Sequence, residues 1–206
     1  MKVMTWNING GYGLQSMSPK VYLKAENLSY FIAQIEDVAA DIVCLQEVHL
    51  NTSRSQAHEI ASSLGYNYIF ETVTSESHID DAYRLANAIL SKHALAKPRA
   101  VKLPLPTFKL SLLLLTDGEH ARVHDKYLQR VRCGDLLIAN THLLPLHILG
   151  SSYESQEGSA FAREIEGVLL EHLDTPLILC GDFNVHNLKA VYPRLFHRLR
   201  ALALRP

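Results

Sequence analysis

Four consecutive apolar residues, Ile42-Val43-Cys44-Leu45, run without a break into Gln46-Glu47. A short apolar run with β-branched members and no polar alternation has the signature of a central strand covered on both faces. The run Pro176-Leu177-Ile178-Leu179-Cys180 has the same character and ends on Gly181-Asp182-Phe183-Asn184. Between them, Leu136-Leu137-Ile138-Ala139 ends on Asn140-Thr141-His142, and near the start Val3 to Trp6 ends on Asn7. The chain is therefore expected to alternate strand and helix, with helices laid on a sheet.

The remaining elements follow from spacing. Leu28, Phe31, Ile32, Ile35 and Val38 predict an amphipathic helix from Lys20 to Ala39. Asn51, Thr52 and Ser53 offer caps for a second helix carrying Ile60 and Leu64, closed by Gly65, before Tyr66 to Phe70 resumes a strand. Residues 71–84 are polar and read as loop. Ala86 to Ser91 and the Leu/Pro-rich stretch beyond it read as consecutive strands, and Phe161, Ile165, Val168 and Leu169 define a further helix. The glycines at 10, 11 and 13 lack the dinucleotide-binding spacing and read as a flexible turn.

Composition fits one globular domain: 206 residues at 48% hydrophobic can bury a core without disulfides. Lys+Arg of 20 against Asp+Glu of 21 leaves no overall positive charge for non-specific duplex binding, while a local basic groove remains compatible. Cys44 and Cys180 sit in apolar runs and Cys133 beside a glycine, a pattern that favours a reducing compartment. The N-terminus turns polar too early for a signal peptide, and Leu110 to Leu115 is too short for a bilayer span. A soluble cytoplasmic protein is expected.

Polar groups thus stand where buried strands finish, the position from which α/β folds aim side chains into a shared crevice. Glu47 suits a hard divalent cation such as Mg²⁺, which takes one or two carboxylates and fills its shell with water and substrate phosphate. Asp182 can orient or deprotonate an attacking water, and Asn184 and Asn7 can donate to phosphate oxygens. His142 can hydrogen-bond a phosphoryl oxygen or protonate a leaving group. Each residue alone has a plainer reading: a solvated acid for Glu47, an Asx turn for Asp182, a satisfied core imidazole for His142.

Together, Met4-Thr5-Trp6-Asn7, Leu45-Gln46-Glu47, Ala88-Ile89-Leu90-Ser91, Asn140-Thr141-His142-Leu143 and Gly181-Asp182-Phe183-Asn184 resemble the endonuclease/exonuclease/phosphatase superfamily of DNase I-like metal-dependent phosphoesterases. The resemblance covers essentially the whole chain. It implies a four-layer αββα sandwich with two mixed central sheets. It also implies a phosphoric ester hydrolase of nuclease or phosphatase type, dependent on Mg²⁺ or Mn²⁺. Glu47 and Asn7 would hold the metal, Asp182 would position the water, and Asn184, His142 and Asn7 would grip the phosphoryl group. The implied partner is a phosphate-ester substrate, with nucleic acid among the candidates.

The sequence departs from the pattern after Asn184. Relatives end with a Ser-Asp-His motif on a late strand, and neither His186 nor His197 stands in a matching context. A C-terminally truncated member is therefore expected, and a catalytically impaired one that keeps metal or partner binding is the alternative. A zinc hydrolase, suggested by 11 His, lacks the ligand spacings of that class, and Gly150 to Glu154 lacks the nucleophile-elbow spacing of a serine hydrolase. Lys189, Arg194, Arg198, Arg200 and Arg205 make the tail basic, with an amphipathic helix expected at 195–200. The loops at 71–84 and 143–158 are expected to border the site and select its substrate.

Overall fold

The structure, a computed structural model, describes residues 1–17, 20–110, 123–174 and 176–199. They divide into two compact units. Of these residues, the first takes 1–17, 20–102, 124–142, 174 and 176–182; the second takes 103–110, 123, 143–173 and 183–199.

The first unit is built on two four-stranded mixed sheets with matching plans. In one, β1 (Val3–Asn7) pairs parallel with β4 (Ile42–Leu50), and β6 (Arg84–Ser91) and β5 (Tyr68–Glu76) follow antiparallel. In the other, β10 (Leu177–Asp182) pairs parallel with β9 (Leu136–His142), and β8 (Tyr127–Cys133) and β7 (Ala96–Lys102) follow antiparallel. A separate hairpin joins β2 (Tyr12–Met17) and β3 (Lys20–Glu26).

Alternation along β4 explains its continuous hydrophobicity, because successive side chains enter two different cores. Val43, Leu45 and Val48 pack with α1 (Leu28–Val38) and α2 (Gln56–Leu64) through Phe31, Ile35, Ala57 and Ile60. Ile42 and Cys44 face the other way and meet Val131, Ile138 and Cys180 of the second sheet. Helix, sheet, sheet is thus the layer order within this unit.

Several sequence expectations need correction. The expected helix from Lys20 begins only at Leu28: Asn27 caps it by accepting from Tyr30 N at 3.2 Å, and the seven residues before Asn27 pair in the hairpin instead. The strand expected to stop at Gln46-Glu47 continues to Leu50, and Ser55, not Asn51 to Ser53, caps α2. Residues 71–76 are strand, not loop, because β5 lies at a sheet edge where polar side chains reach water. The third middle strand, β7, precedes the Leu/Pro-rich stretch, and most of Leu110 to Leu115 lies outside the described residues.

The glycine turn is tightly packed. Gly10 sits at φ 63°, and a Cβ there would stand 2.4 Å from the His49 ring. That ring stacks on Tyr83 at 5.0 Å and meets Ser77 Oγ at 2.7 Å.

In the second unit, α3 (Gln156–His172) starts at Ser155, which accepts from Gly158 N. Tyr153 stacks on Phe161 with ring centroids 6.3 Å apart, and Glu166 accepts from Leu195 N at 2.8 Å. The short helices α4 (Leu188–Val191) and α5 (Pro193–Arg198) follow. The expected tail helix is α5, ending at Arg198; Arg200 and Arg205 lie outside the described residues. No described helix is long and apolar enough to cross a membrane.

Candidate active site

Strand parity puts three of the expected residues on one face. Val3, Thr5 and Asn7 alternate on β1, Ile138, Asn140 and His142 on β9, and Ile178, Cys180 and Asp182 on β10, with Ile138, Ile178 and Cys180 all in the core between the sheets. Asn7, His142 and Asp182 therefore finish their strands pointing into the same space. Each comes from the parallel pair of its sheet.

Glu47 reaches that space by a different device. Between the pairs Leu45–Ala88 and Val48–Ala86, two residues of β4 oppose the single Asn87 of β6. Glu47 is the extra residue of this bulge and takes a left-handed backbone, φ 53°. A non-glycine residue held there costs of order 1–3 kcal/mol, a strain that persists only where surrounding structure enforces it. Gln46 beside it supplies part of that enforcement: its Nε2 donates to Thr5 Oγ1 at 3.1 Å and Asn140 Oδ1 at 2.7 Å.

Four expected residues converge. Asn7 Nδ2 donates to Glu47 Oε1 at 3.2 Å and to Asp182 Oδ2 at 3.1 Å. His142 Nε2 stands 3.7 Å from that same Glu47 oxygen and 3.8 Å from that same Asp182 oxygen. Asn7 Oδ1 accepts from Asn9 N at 3.0 Å, which turns the amide nitrogen toward the carboxylates. Glu47 and His142 are buried, and Asp182 is about one-third exposed at 33%. Asp182 pairs directly with His142 across β10 and β9. The backbones close in there, because Gly181 (φ 146°) lies where a Cβ would sit 2.0 Å from Thr141 O.

Asn184 belongs to the second unit, where it has φ 51° and donates to Leu143 O at 2.9 Å.

Lys126 had no sequence signal. It directly precedes β8, is 7% exposed, and places Nζ 3.5 Å from His142 Nδ1. Burial pulls its pKa down to about 8, while Glu47 and Asp182 act to raise it. A lone lysine in a polar stretch carries no spacing rule, so only tertiary contact reveals it.

Glu47 and Asp182 offer carboxylate oxygens, hard donors suited to Mg²⁺ or Mn²⁺ and unlike the thiolate and imidazole sets that zinc prefers. Among the described residues no three His, Cys, Asp or Glu side chains form a ready-made cage. A Mg²⁺ site does not need one, since one or two carboxylates suffice alongside water and substrate phosphate. Glu47 with Asp182 beside it fits such an ion, whereas Asn7, expected as a second metal ligand, turns Nδ2 to the two carboxylates and engages Oδ1 with Asn9 N, and so braces the acids.

Comparison with known proteins bears on the fold and the family. No curated protein sequence matches. Among solved structures, an endonuclease/exonuclease/phosphatase from Beutenbergia cavernae DSM 12333 superposes with TM-score 0.65 at 23% identity, covering 90% of this chain and 47% of that one. A family protein from Leptotrichia buccalis C-1013-b gives 0.60 at 12% identity, over 96% and 74%. The human Nocturnin catalytic domain with bound sulfate anion gives 0.57 at 19% identity, over 95% and 68%. The chain thus spans about half the length of the Beutenbergia protein. These likenesses bear out the expected class, a mixed α/β fold with two mixed central sheets and helices. The profile of the endonuclease/exonuclease/phosphatase family matches residues 4–202, from the first strand through every segment that carries the site, and the chain belongs to that family.

Proposed function

We propose that this chain hydrolyses a phosphate ester, a phosphodiester or a phosphomonoester, by in-line attack of a water molecule with Mg²⁺ or Mn²⁺ bound at Glu47. The carrying observation is the convergence of Glu47 and Asp182 on one amide of Asn7, with the His142 imidazole against both. A metal held at Glu47, with Asp182 beside it, would supply Lewis-acid polarisation of the phosphoryl group.

The residues divide the remaining work. Asn7 ties the two carboxylates together, and with them held side by side Glu47 would hold the metal while Asp182 is left for the water. Asp182, the more exposed acid, orients that water and takes its proton. His142 Nε2 lies beside both acids, within reach of a phosphoryl oxygen as its charge grows. Asn184, two residues past Asp182 in the family motif, is assigned to the phosphoryl group on that motif. The sulfate anion bound by the Nocturnin domain is consistent with a tetrahedral oxyanion as ligand. The substrate class includes nucleic acid, and three free thiols favour assignment to the cytoplasm.

The test is turnover of a panel of phosphodiesters, sugar phosphates and nucleic acids with and without Mg²⁺, using wild type and Glu47→Ala. Hydrolysis that requires Mg²⁺ and falls sharply in the variant is expected. Indistinguishable wild type and Glu47→Ala would sink the reading.

A further inference from the structure

A lysine buried beside a catalytic imidazole calls for an explanation, because removing an ammonium from water is costly unless nearby groups compensate. The adjacent acid does not provide it: Asp125 is engaged by Lys102 Nζ at 2.6 Å. Lys126 Nζ instead approaches Nδ1 of His142 at 3.5 Å, on the side of the ring opposite the nitrogen that faces Glu47 and Asp182.

An ammonium has donors and no acceptor. Its partner nitrogen must therefore carry a lone pair, and a neutral imidazole must place its single proton on the other nitrogen. Lys126 and the two carboxylates thus sit at opposite ends of one ring, with an acceptor required at Nδ1 and acceptors waiting at Nε2.

We infer that Lys126 is a positioning residue that fixes His142 as its Nε2–H tautomer and so aims a hydrogen-bond donor at the phosphoryl oxygen of the substrate. The substrate part of this statement rests on the phosphoesterase reading above; the tautomer part does not. A Lys126 lost to an apolar residue frees Nδ1 to take the proton, and Nε2 then turns a lone pair toward the carboxylates.

The experiment is ¹⁵N-histidine NMR on the full chain, with His142 identified by the signal that disappears in His142→Gln. Wild type is expected as the Nε2–H tautomer, Lys126→Met with Nδ1–H populated, and Lys126→Arg restored toward wild type. Denaturant midpoints confirm that each variant is folded. In turnover, Lys126→Met is expected to lower kcat about 10- to 100-fold, by analogy with the loss of the outer partner that orients a metal-bound imidazole. KM should stay within about twofold, and Lys126→Arg should recover most of the rate.

An Nδ1–H tautomer in the wild type overturns the inference without any variant. So does a folded Lys126→Met whose His142 signals do not move. A tautomer that moves as expected in a protein that hydrolyses no ester upholds the positioning of His142 and removes the phosphoesterase reading. Wild-type turnover with an unmoved tautomer does the reverse.

Discussion

Gln46 and Asn140 join the two sheets directly, Nε2 of the first donating to Oδ1 of the second at 2.7 Å with both side chains buried. Asn140 Nδ2 then serves Leu45 O at 3.0 Å and Gln129 Oε1 at 3.0 Å, and Gln129 Nε2 reaches Thr72 Oγ1 and Asn87 O. This amide chain runs beneath Glu47 and His142, each of which is one or two residues from a member of it. In a low-dielectric interior a fully satisfied network is rigid, and each broken link strands a buried partner.

Replacing Asn140 by Leu removes donors to two main-chain carbonyls and to Gln129. A loss of about 2–4 kcal/mol of stability is expected in urea unfolding. The Gln46→Leu and Asn140→Leu double variant should lose less than the sum of the singles, because the partners share one interaction. A single-variant cost below about 0.5 kcal/mol, the range of an ordinary surface change, would refute the role given to the network.

Glu47→Gly should separate folding from activity. Glycine adopts the left-handed bulge without penalty, so stability should hold or rise by about 1 kcal/mol, while Mg²⁺-dependent turnover disappears. Calorimetry of thermal unfolding and the hydrolysis panel together check this. A variant less stable than Glu47→Ala would contradict a strained wild-type backbone.

Lys126 gives a pH dependence of defined sign. Its folded-state pKa of about 8 lies below the unfolded value of about 10.4, so between these the unfolded chain binds more protons and stability rises with pH. At pH 7 the buried ammonium costs up to about 3 kcal/mol relative to an apolar side chain. Lys126→Met is thus expected to be the more stable protein at pH 7, with its advantage shrinking from pH 8 to 10.5. Urea midpoints of both proteins across that range supply the measurement.

The three thiols should react in a fixed order. A hydrogen bond with Cys180, together with burial, pushes the Cys44 thiol well above its usual range, whereas Cys133 is partly exposed. Alkylation followed by peptide mass analysis should label Cys133 first in the native protein. Cys44 and Cys180 should follow only when denaturant opens the core, and early labelling of Cys44 would contradict the packing between the sheets.

Much of this arrangement could be read from period-two alternation. The apolar runs before Asn7, His142 and Asp182 set which face each of those side chains would join, and the structure brings all three together. Glu47 was legible as a residue type but not as a position, since its direction depends on a bulge that only the register against β6 reveals. The hairpin before α1 was hidden because its residues continue a helical spacing, and the Asn27 cap that divides them is a local signal overridden in a long window. Lys126 and Gln129 were silent for another reason: their partners lie 16 and 11 residues away on β9, at a distance where strand pairing, not sequence pattern, decides contact.

The closeness of β9 and β10 at Gly181 has a broader meaning. The gap between Asp182 and His142 is a fixed dimension of the backbone, set by a point where there is no room for even a methyl group. Loops can be lengthened, shortened or exchanged to grip different molecules while that dimension stays constant. A descendant of this chain could change its loops many times over, but any side chain at position 181 would pry apart the two strands that hold the acid and the imidazole side by side.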